Sequence, residues 1–496
     1  MTVSASDSNH PSTTSLVRGV PFTHRMRAAL IALPDWVYLA VVVLVHVACV
    51  VVVLERGFLE YNADGYARII RGHEWLQSPR WEVSVWLPLQ TWLFGVGLFV
   101  HDSLSVTPRT ISFALSVVTL VSLFLIGRAI SGRAAGLIAA TLGAVFPWTV
   151  WFSVSGLSEA LFHATLTLGV VGFVRWLADP RDRWLGLAAV GLSFSTMVRY
   201  EGWFYATVFL ALVVGFAWQR RRVRLSTIAL GLVPMLFPLL WIEQYWQLHD
   251  DPFGFARETA EIKASLDAGN ATASVWQRLT VYPEETLRLA PWLGLLCGLA
   301  TIYALVRRVT WWPLIALICG QGLLLIGVSA GFSNLGPGAE RYLLSNFILL
   351  FPVLGASVML LPCSLFRAAG LGATALISLT LIRTLIAPPT WYPDATVRDV
   401  ARIADDELSS IRGRHDLVPV LLPDPPAEGF NAIYALRILS NHPDAWIITS
   451  DPAVFVAIMD TTAPPLWLID TDSGFAPPEG WQIERVGRYL VGTPSE

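Results

Sequence analysis

Charge is scarce in this sequence. Only 14% of its 496 residues are Asp, Glu, Lys or Arg, where soluble domains carry about 25%. By contrast 54% are hydrophobic, and the mean hydropathy is +0.56. The deficit lies between residues 35 and 389 and excludes an ordinary soluble enzyme. Lysine is nearly missing: Lys263 is the single one, and every other basic side chain is arginine. The four cysteines, Cys49, Cys297, Cys319 and Cys363, fall in apolar runs. They read as small core residues rather than a disulfide framework. No apolar run has the length and flanks of a cleavable signal peptide. No internal repeat of fixed period is present.

What is present is a series of long apolar runs. About 20 such residues span a bilayer core. Spans are expected at 36–54, 108–127, 134–152, 158–176, 184–198, 203–218, 225–243, 291–306, 311–330, 343–361 and 369–388. The fold class expected is therefore an all-α polytopic membrane bundle of about eleven helices. Leu87–Val100 is short and holds Pro88, Gly95 and Gly97. Cytoplasmic loops collect arginine. If this run does not cross, Arg18, Arg25 and Arg27 share a side with Arg128/Arg133, Arg181/Arg183, Arg220–Arg222/Arg224, Arg307/Arg308 and Arg367. Leu87–Val100 is accordingly expected to lie in the outer leaflet, in a first loop that reaches residue 107.

Three segments follow. Residues 1–34 are polar and rich in Ser and Thr, a mobile cytoplasmic tail. Residues 35–389 form the membrane module. Residues 390–496 carry seven arginines against sixteen acidic residues and alternate helical with strand-like patterns, which points to a small extracytoplasmic α/β domain. Helices are expected at 394–410 and 429–440, and strands at 417–422, 445–449 and 466–469. This part has no Gly-rich phosphate loop, no metal-ligand spacing and no catalytic triad motif. Asn270-Ala-Thr272 matches a glycosylation sequon, a pattern that chance often produces.

Ionisable residues beside a membrane are costly and point to function. Those at the outer ends of the spans stand out. Asp64 precedes an amphipathic segment with Tyr66, Ile69, Ile70, Trp75 and Leu76 on one face, suited to the interface. It has two compatible readings, N-cap and general base. Glu159 follows Ser158 at the start of a span, as a dipole-favoured cap or as a site residue. Arg199 and Glu201 form either an internal ion pair or a phosphate clamp, since a guanidinium fork matches phosphate oxygens. Glu340, Arg341 and Tyr342 repeat the theme after Gly336-Pro-Gly338, as an ion pair or as a snorkelling arginine beside an interfacial tyrosine.

At these residues the chain resembles the C-type glycosyltransferases, membrane enzymes that use polyprenyl-phosphate sugars and include the protein O-mannosyltransferases and the lipid A aminoarabinose transferase. The resemblance covers roughly 36–390. It rests on Asn62-Ala-Asp64-Gly-Tyr66, on Trp86-Leu-Pro-Leu-Gln opening a helix, on Ser158-Glu159, on Val198-Arg-Tyr-Glu-Gly202 and on Glu340-Arg-Tyr342. It implies transfer of a sugar from a polyprenyl-phosphate donor to a hydroxyl of a glycan, lipid or protein acceptor, at the outer face of the cytoplasmic membrane and with inversion. Asp64 would be the base. Arg199, Arg341 and Tyr342 would hold the donor phosphate, with Glu159, Glu201, Glu340 and Trp86 in support. Some relatives carry a lysine just before the Pro-containing helix, where this chain has only Arg80 nearby. Glu60 and Asp64, four residues apart, do not form the paired acids of metal-dependent oligosaccharyltransferases, so neither metal nor cofactor is expected, and no nucleic-acid partner. The alternative is a transporter or flippase for a lipid-linked or anionic substrate, which would place charges near mid-bilayer and show repeated halves.

Overall fold

A computed structural model describes residues 33–494 apart from 220–223, 267–273, 290, 332–338, 387–392, 394, 411–416, 423–428 and 463. The N-terminal tail, the sequon at 270–272 and the boundary near 390 thus lie outside the described residues, as does the side chain of Glu340. The membrane module begins with helix α1 (Asp35–Glu55). The first loop then forms α2 (Ala63–Gln77) and α3 (Leu89–Val100). Next come α4 (Thr107–Ser131), α5 (Arg133–Val145), α6 (Pro147–Phe152), α7 (Glu159–Ala178), α8 (Asp182–Thr196) and α9 (Glu201–Gln219). After these the chain forms α10 (Leu225–Leu232), α11 (Leu236–His249), α12 (Gly254–Leu266), α13 (Val275–Leu289), α14 (Pro291–Val306), α15 (Trp312–Gly331), α16 (Leu344–Met359) and α17 (Ser364–Ile386).

Among the described residues, each of the eleven expected spans overlaps helix. Among the described residues, seven helical stretches are long and apolar enough to cross a membrane, and Leu89–Val100, Arg133–Val145, Trp292–Val306 and Trp312–Val328 are shorter apolar helices. The stretch expected at 134–152 is broken. Phe146 is extended (φ −69°, ψ 120°) and Pro147 opens the short α6, because proline disfavours the helical region for the residue before it. The Leu87–Val100 run yields a twelve-residue helix with Pro88 as its N-cap residue.

The C-terminal part is a mixed sheet with helices: α18 (Ala395–Ser410), β1 (Val418–Leu421), α19 (Gly429–Leu439), β2 (Trp446–Thr449), α20 (Pro452–Thr462), β3 (Trp467–Asp470), β4 (Trp481–Val486) and β5 (Tyr489–Pro494). Strand order is β2-β1-β3-β5-β4. β1 pairs in parallel with β2 and β3, while β5 pairs antiparallel with β3 and β4. β1 and β3 are wholly buried, and apart from Asp470 at the end of β3 their residues are all apolar, as in strands covered on both faces.

The first loop joins the two parts. Tyr66, Ile69 and Ile70 on α2, expected at a lipid interface, instead belong to one core with Val400, Ala404, Leu436, Leu468 and Val491 of the C-terminal domain. Burying each large apolar side chain is worth about 1.5–3 kcal/mol. The polar edge of α2 adds His73 Nε2 to Asp444 at 3.1 Å and Arg437 Nη1 donating to Glu74 at 3.0 Å. On its other side α2 closes on α3, where Gly72 leaves no room for a Cβ against Phe94.

Candidate active site

Five charged side chains from four separate stretches of chain meet in a row. Arg341 Nη1 donates to Asp64 Oδ2 at 2.9 Å, and its Nε donates to Glu159 Oε1 at 2.7 Å. The same Glu159 oxygen accepts from Arg199 Nη1 at 2.7 Å. Arg199 then grips Glu201 with Nε at 2.9 Å and Nη2 at 2.7 Å. Ser158 Oγ accepts a further bond from Arg199 Nη1 at 3.2 Å. The Arg199 guanidinium also lies over the Tyr342 ring, 5.5 Å from its centroid.

Burial is graded along this row. Glu159 is 1% exposed, and the Arg199 side chain 8%. The Arg341 side chain is 11% exposed and that of Asp64 47%. The row is therefore anchored inside and opens at Asp64. Burying one ion costs several kcal/mol unless it is paired, so these groups hold one another in place.

Each position has a local cause. Asp64 is not the cap of α2. That role falls to Asn62, whose side chain accepts from the Asp64 N–H at 3.1 Å. Asp64 stands in the first turn, which the helix dipole favours, with its carboxylate free to reach Arg341. Glu159 opens α7, so the same dipole supports it. Arg199 sits in the turn between α8 and α9. Arg341 lies in a 3-10 turn (Ala339–Leu343) leading into α16.

Sequence reading missed Arg68. Its Nη1 donates to Gln90 at 3.2 Å, and its guanidinium lies 4.7 Å from the Trp86 ring centroid. Arg71 covers the same ring at 4.5 Å. Trp86, expected to support the phosphate site, thus serves as the platform for two arginines. Burial pushes the Arg68 guanidinium down to about 10, with Asp64 and Glu159 acting against that shift; it stays charged at neutral pH. Arg68 brings the cluster to three carboxylates and three guanidiniums. The i, i+4, i+7 spacing of Asp64, Arg68 and Arg71 was the available signal, since it places all three on one face of α2.

Glu60, which forms no acid pair with Asp64, braces the site. Its carboxylate accepts from the Gly156 N–H at 2.7 Å and the Tyr61 N–H at 2.9 Å. A Cβ at Gly65 would fall 2.2 Å from its Cδ, and one at Gly156 would fall 2.3 Å from the Gly65 carbonyl oxygen. Only glycine at both positions lets the first loop meet the turn before α7. Burial pushes the Glu60 carboxyl up to about 7, although the two N–H donors oppose this. An acid raised from 4.5 to about 7 on folding holds extra proton in the folded state across that window. Its contribution to stability is thus full below pH 4.5 and is lost as pH rises through 7. Glu60→Gln is expected to flatten the pH dependence of thermal stability there, by on the order of 3 kcal/mol. Parallel melting curves for the two proteins across that range check this.

Among the described residues no three His, Cys, Asp or Glu side chains converge as a metal-ligand set.

The fold has close parallels among solved structures. ArnT from Cupriavidus metallidurans in the apo state matches with TM-score 0.63 at 12% identity, covering 94% of this chain and 98% of that one. The same protein bound to undecaprenyl phosphate matches with TM-score 0.61 at 14% identity, covering 92% and 97%. The fold is that of the C-type membrane glycosyltransferases. The Archaeoglobus fulgidus oligosaccharyltransferase in its apo form is similar at TM-score 0.52 and 11% identity, over 88% of this chain and 69% of that one. Residues 86–242 match the family described as dolichyl-phosphate-mannose-protein mannosyltransferase. No curated protein matches in sequence. Within this C-type fold, the family match begins at Trp86 and takes in Glu159, Arg199 and Glu201.

Proposed function

We propose that the protein transfers a sugar from a polyprenyl-phosphate donor to an acceptor hydroxyl at the outer face of the cytoplasmic membrane, with inversion. The observation that carries this reading is the half-exposed Asp64 carboxylate held 2.9 Å from an arginine. A base and a phosphate-binding cation are side by side at the open end of a buried ion row. Support also comes from the family matched at 86–242 and from a structural relative that binds undecaprenyl phosphate.

In the proposed reaction the acceptor oxygen attacks the anomeric carbon. Its O–H bond breaks and the proton passes to Asp64. The anomeric C–O bond to phosphate breaks, and the electron pair leaves with the phosphate. The departing oxygen gains charge, which a nearby cation stabilises without protonating it. Arg341 fits that role better than Arg199, because Arg199 already spends Nε, Nη1 and Nη2 on Glu201, Glu159 and Ser158. Arriving phosphate competes with Asp64 for Arg341, so donor binding itself releases the base. Arg199 and Glu201 fix Glu159, and Glu159 fixes Arg341. The arginines supply the positive charge, so the proposed reaction invokes no metal.

Incubating the purified protein with labelled polyprenyl-phosphate sugars and membrane acceptors, then resolving the products by thin-layer chromatography, tests the reading. Transfer from one donor class is expected, and none from any donor overturns it. Arg341→Lys keeps the charge beside Glu159 but removes the fork. It is expected to weaken donor binding by about 1.5–3 kcal/mol while Arg199→Lys acts mainly on stability. Equal donor affinity in Arg341→Lys and wild type would remove Arg341 from the phosphate site.

The arginine distribution supports eleven crossings, a cytoplasmic N-terminus and an extracytoplasmic C-terminal domain. A reporter active only outside the cytoplasm, fused after Glu496, is expected to be active. A silent fusion, paired with an active cytoplasmic reporter at the same point, would invert the topology.

A further inference from the structure

A second site lies farther along the same helix. A cavity of about 370 Å³ opens between α2, the chain at 78–82 and α19 of the C-terminal domain. Trp75 and Tyr434 bring two aromatic rings to its wall. Arg71, Arg80 and Arg437 bring guanidinium donors, and Glu74 and Glu82 bring acceptors. The charges are held in alternation: Arg437 to Glu74 at 3.0 Å, Arg71 to Glu82 at 3.8 Å and Arg80 to Glu82 at 3.9 Å. Trp75 is fixed by its Nε1 donating to the Arg80 carbonyl at 3.1 Å.

We propose that this cavity is the acceptor subsite and that its ligand is a glycan. The inference rests on the glycosyltransferase reading above and names its acceptor class. Rings present flat apolar faces to the C–H face of a sugar, while forked donors beside carboxylates match vicinal hydroxyls, each of which both donates and accepts. An anion site would lack the two glutamates, and a lipid-tail site would lack the five charges. Position agrees. Asp64, Arg68 and Arg71 follow one stripe of α2, so the cavity begins about 10 Å from the base at 1.5 Å per residue. An acceptor with its terminal hydroxyl at Asp64 would lay an inner sugar against Trp75 and Tyr434. The C-terminal domain would thereby read the acceptor, through a helix that also carries the base.

Saturation-transfer NMR on the full chain in nanodiscs tests this. The probes are the methyl glycosides of mannose, glucose, galactose and arabinose and their homodisaccharides. Transfer to at least one disaccharide is expected. It should weaken about tenfold or vanish in Tyr434→Ala and persist in Tyr434→Phe, which keeps the ring. Arg80→Ala, at an exposed position, should weaken it without changing the melting temperature, which guards against a misfolded Tyr434→Ala. Asp64→Asn should still bind the disaccharide. Absence of transfer to every glycoside, signals unchanged in Tyr434→Ala and Arg80→Ala, or displacement of the glycoside by inorganic phosphate would each overturn the subsite. Glycoside binding that depends on Tyr434, with no sugar transfer from any polyprenyl-phosphate donor, would overturn the enzyme reading and the acceptor role with it.

Discussion

Asp64→Asn is expected to fold like the wild type and to lose about 10²–10⁴-fold in turnover, the range of general-base catalysis. The substitution separates the roles well because Asn62, not Asp64, caps α2. The new amide oxygen can still accept from Arg341, so the geometry of the row survives. What disappears is the ability to take a proton. Donor affinity should hold or rise slightly, since phosphate no longer competes with a carboxylate for Arg341. Single-turnover assays with preloaded donor measure the chemical step directly. Turnover within a few-fold of wild type would end the case for Asp64 as base and direct attention to Glu201 and Glu159, the other carboxylates of the row.

Glu159→Ala is expected to be the most destabilising single change in the site. One Glu159 oxygen accepts from two arginines at 2.7 Å each, inside a site where it is 1% exposed. Removing it leaves two buried guanidiniums facing each other across an empty volume. Breaking one buried pair costs about 3–5 kcal/mol, and here two are broken together. Glu159→Gln keeps the volume and one acceptor and should fall between wild type and Ala. Because the members share partners, Arg199→Ala added to Glu159→Ala should cost much less than the sum of the two. Thermal melting of the four proteins in the same detergent checks both statements. A melting temperature unchanged in Glu159→Ala, or fully additive losses, would mean that the row is not a coupled unit.

The membrane helices were legible because apolar run length and arginine position are local properties of the chain. Break points were less so: the interruption at Phe146 depends on Pro147, which a hydropathy window averages away. In the C-terminal domain strands β1 to β3 stood out as apolar runs. The β4–β5 hairpin did not, since β4 is largely exposed and mixes Gln, Glu and Arg with Ile and Val. Helix α20 was missed as well, between two strands that were expected. In the site, the residue types were visible but their partners were not. Arg199 meets its sequence neighbour Glu201, as proximity suggests, but Arg341 reaches Asp64 and Glu159, far away in sequence. Sequence spacing carries no information about such contacts. The amphipathic face of α2 was read correctly as apolar, yet an interface helix and a helix covered by another domain present the same periodicity. Only the presence of Val400, Leu436 and Leu468 across from it decides between them.

That shared core of α2 and the C-terminal domain has a consequence for engineering and for gene fusion. The natural unit of exchange between this protein and a relative is discontinuous: the first loop and the C-terminal domain have to travel together. A chimera that swaps residues 390–496 alone would set Tyr66, Ile69 and Ile70 against foreign side chains and would tilt the helix that carries Asp64. Such a hybrid would lose its chemistry through the loop, although no residue of the charged row had been replaced.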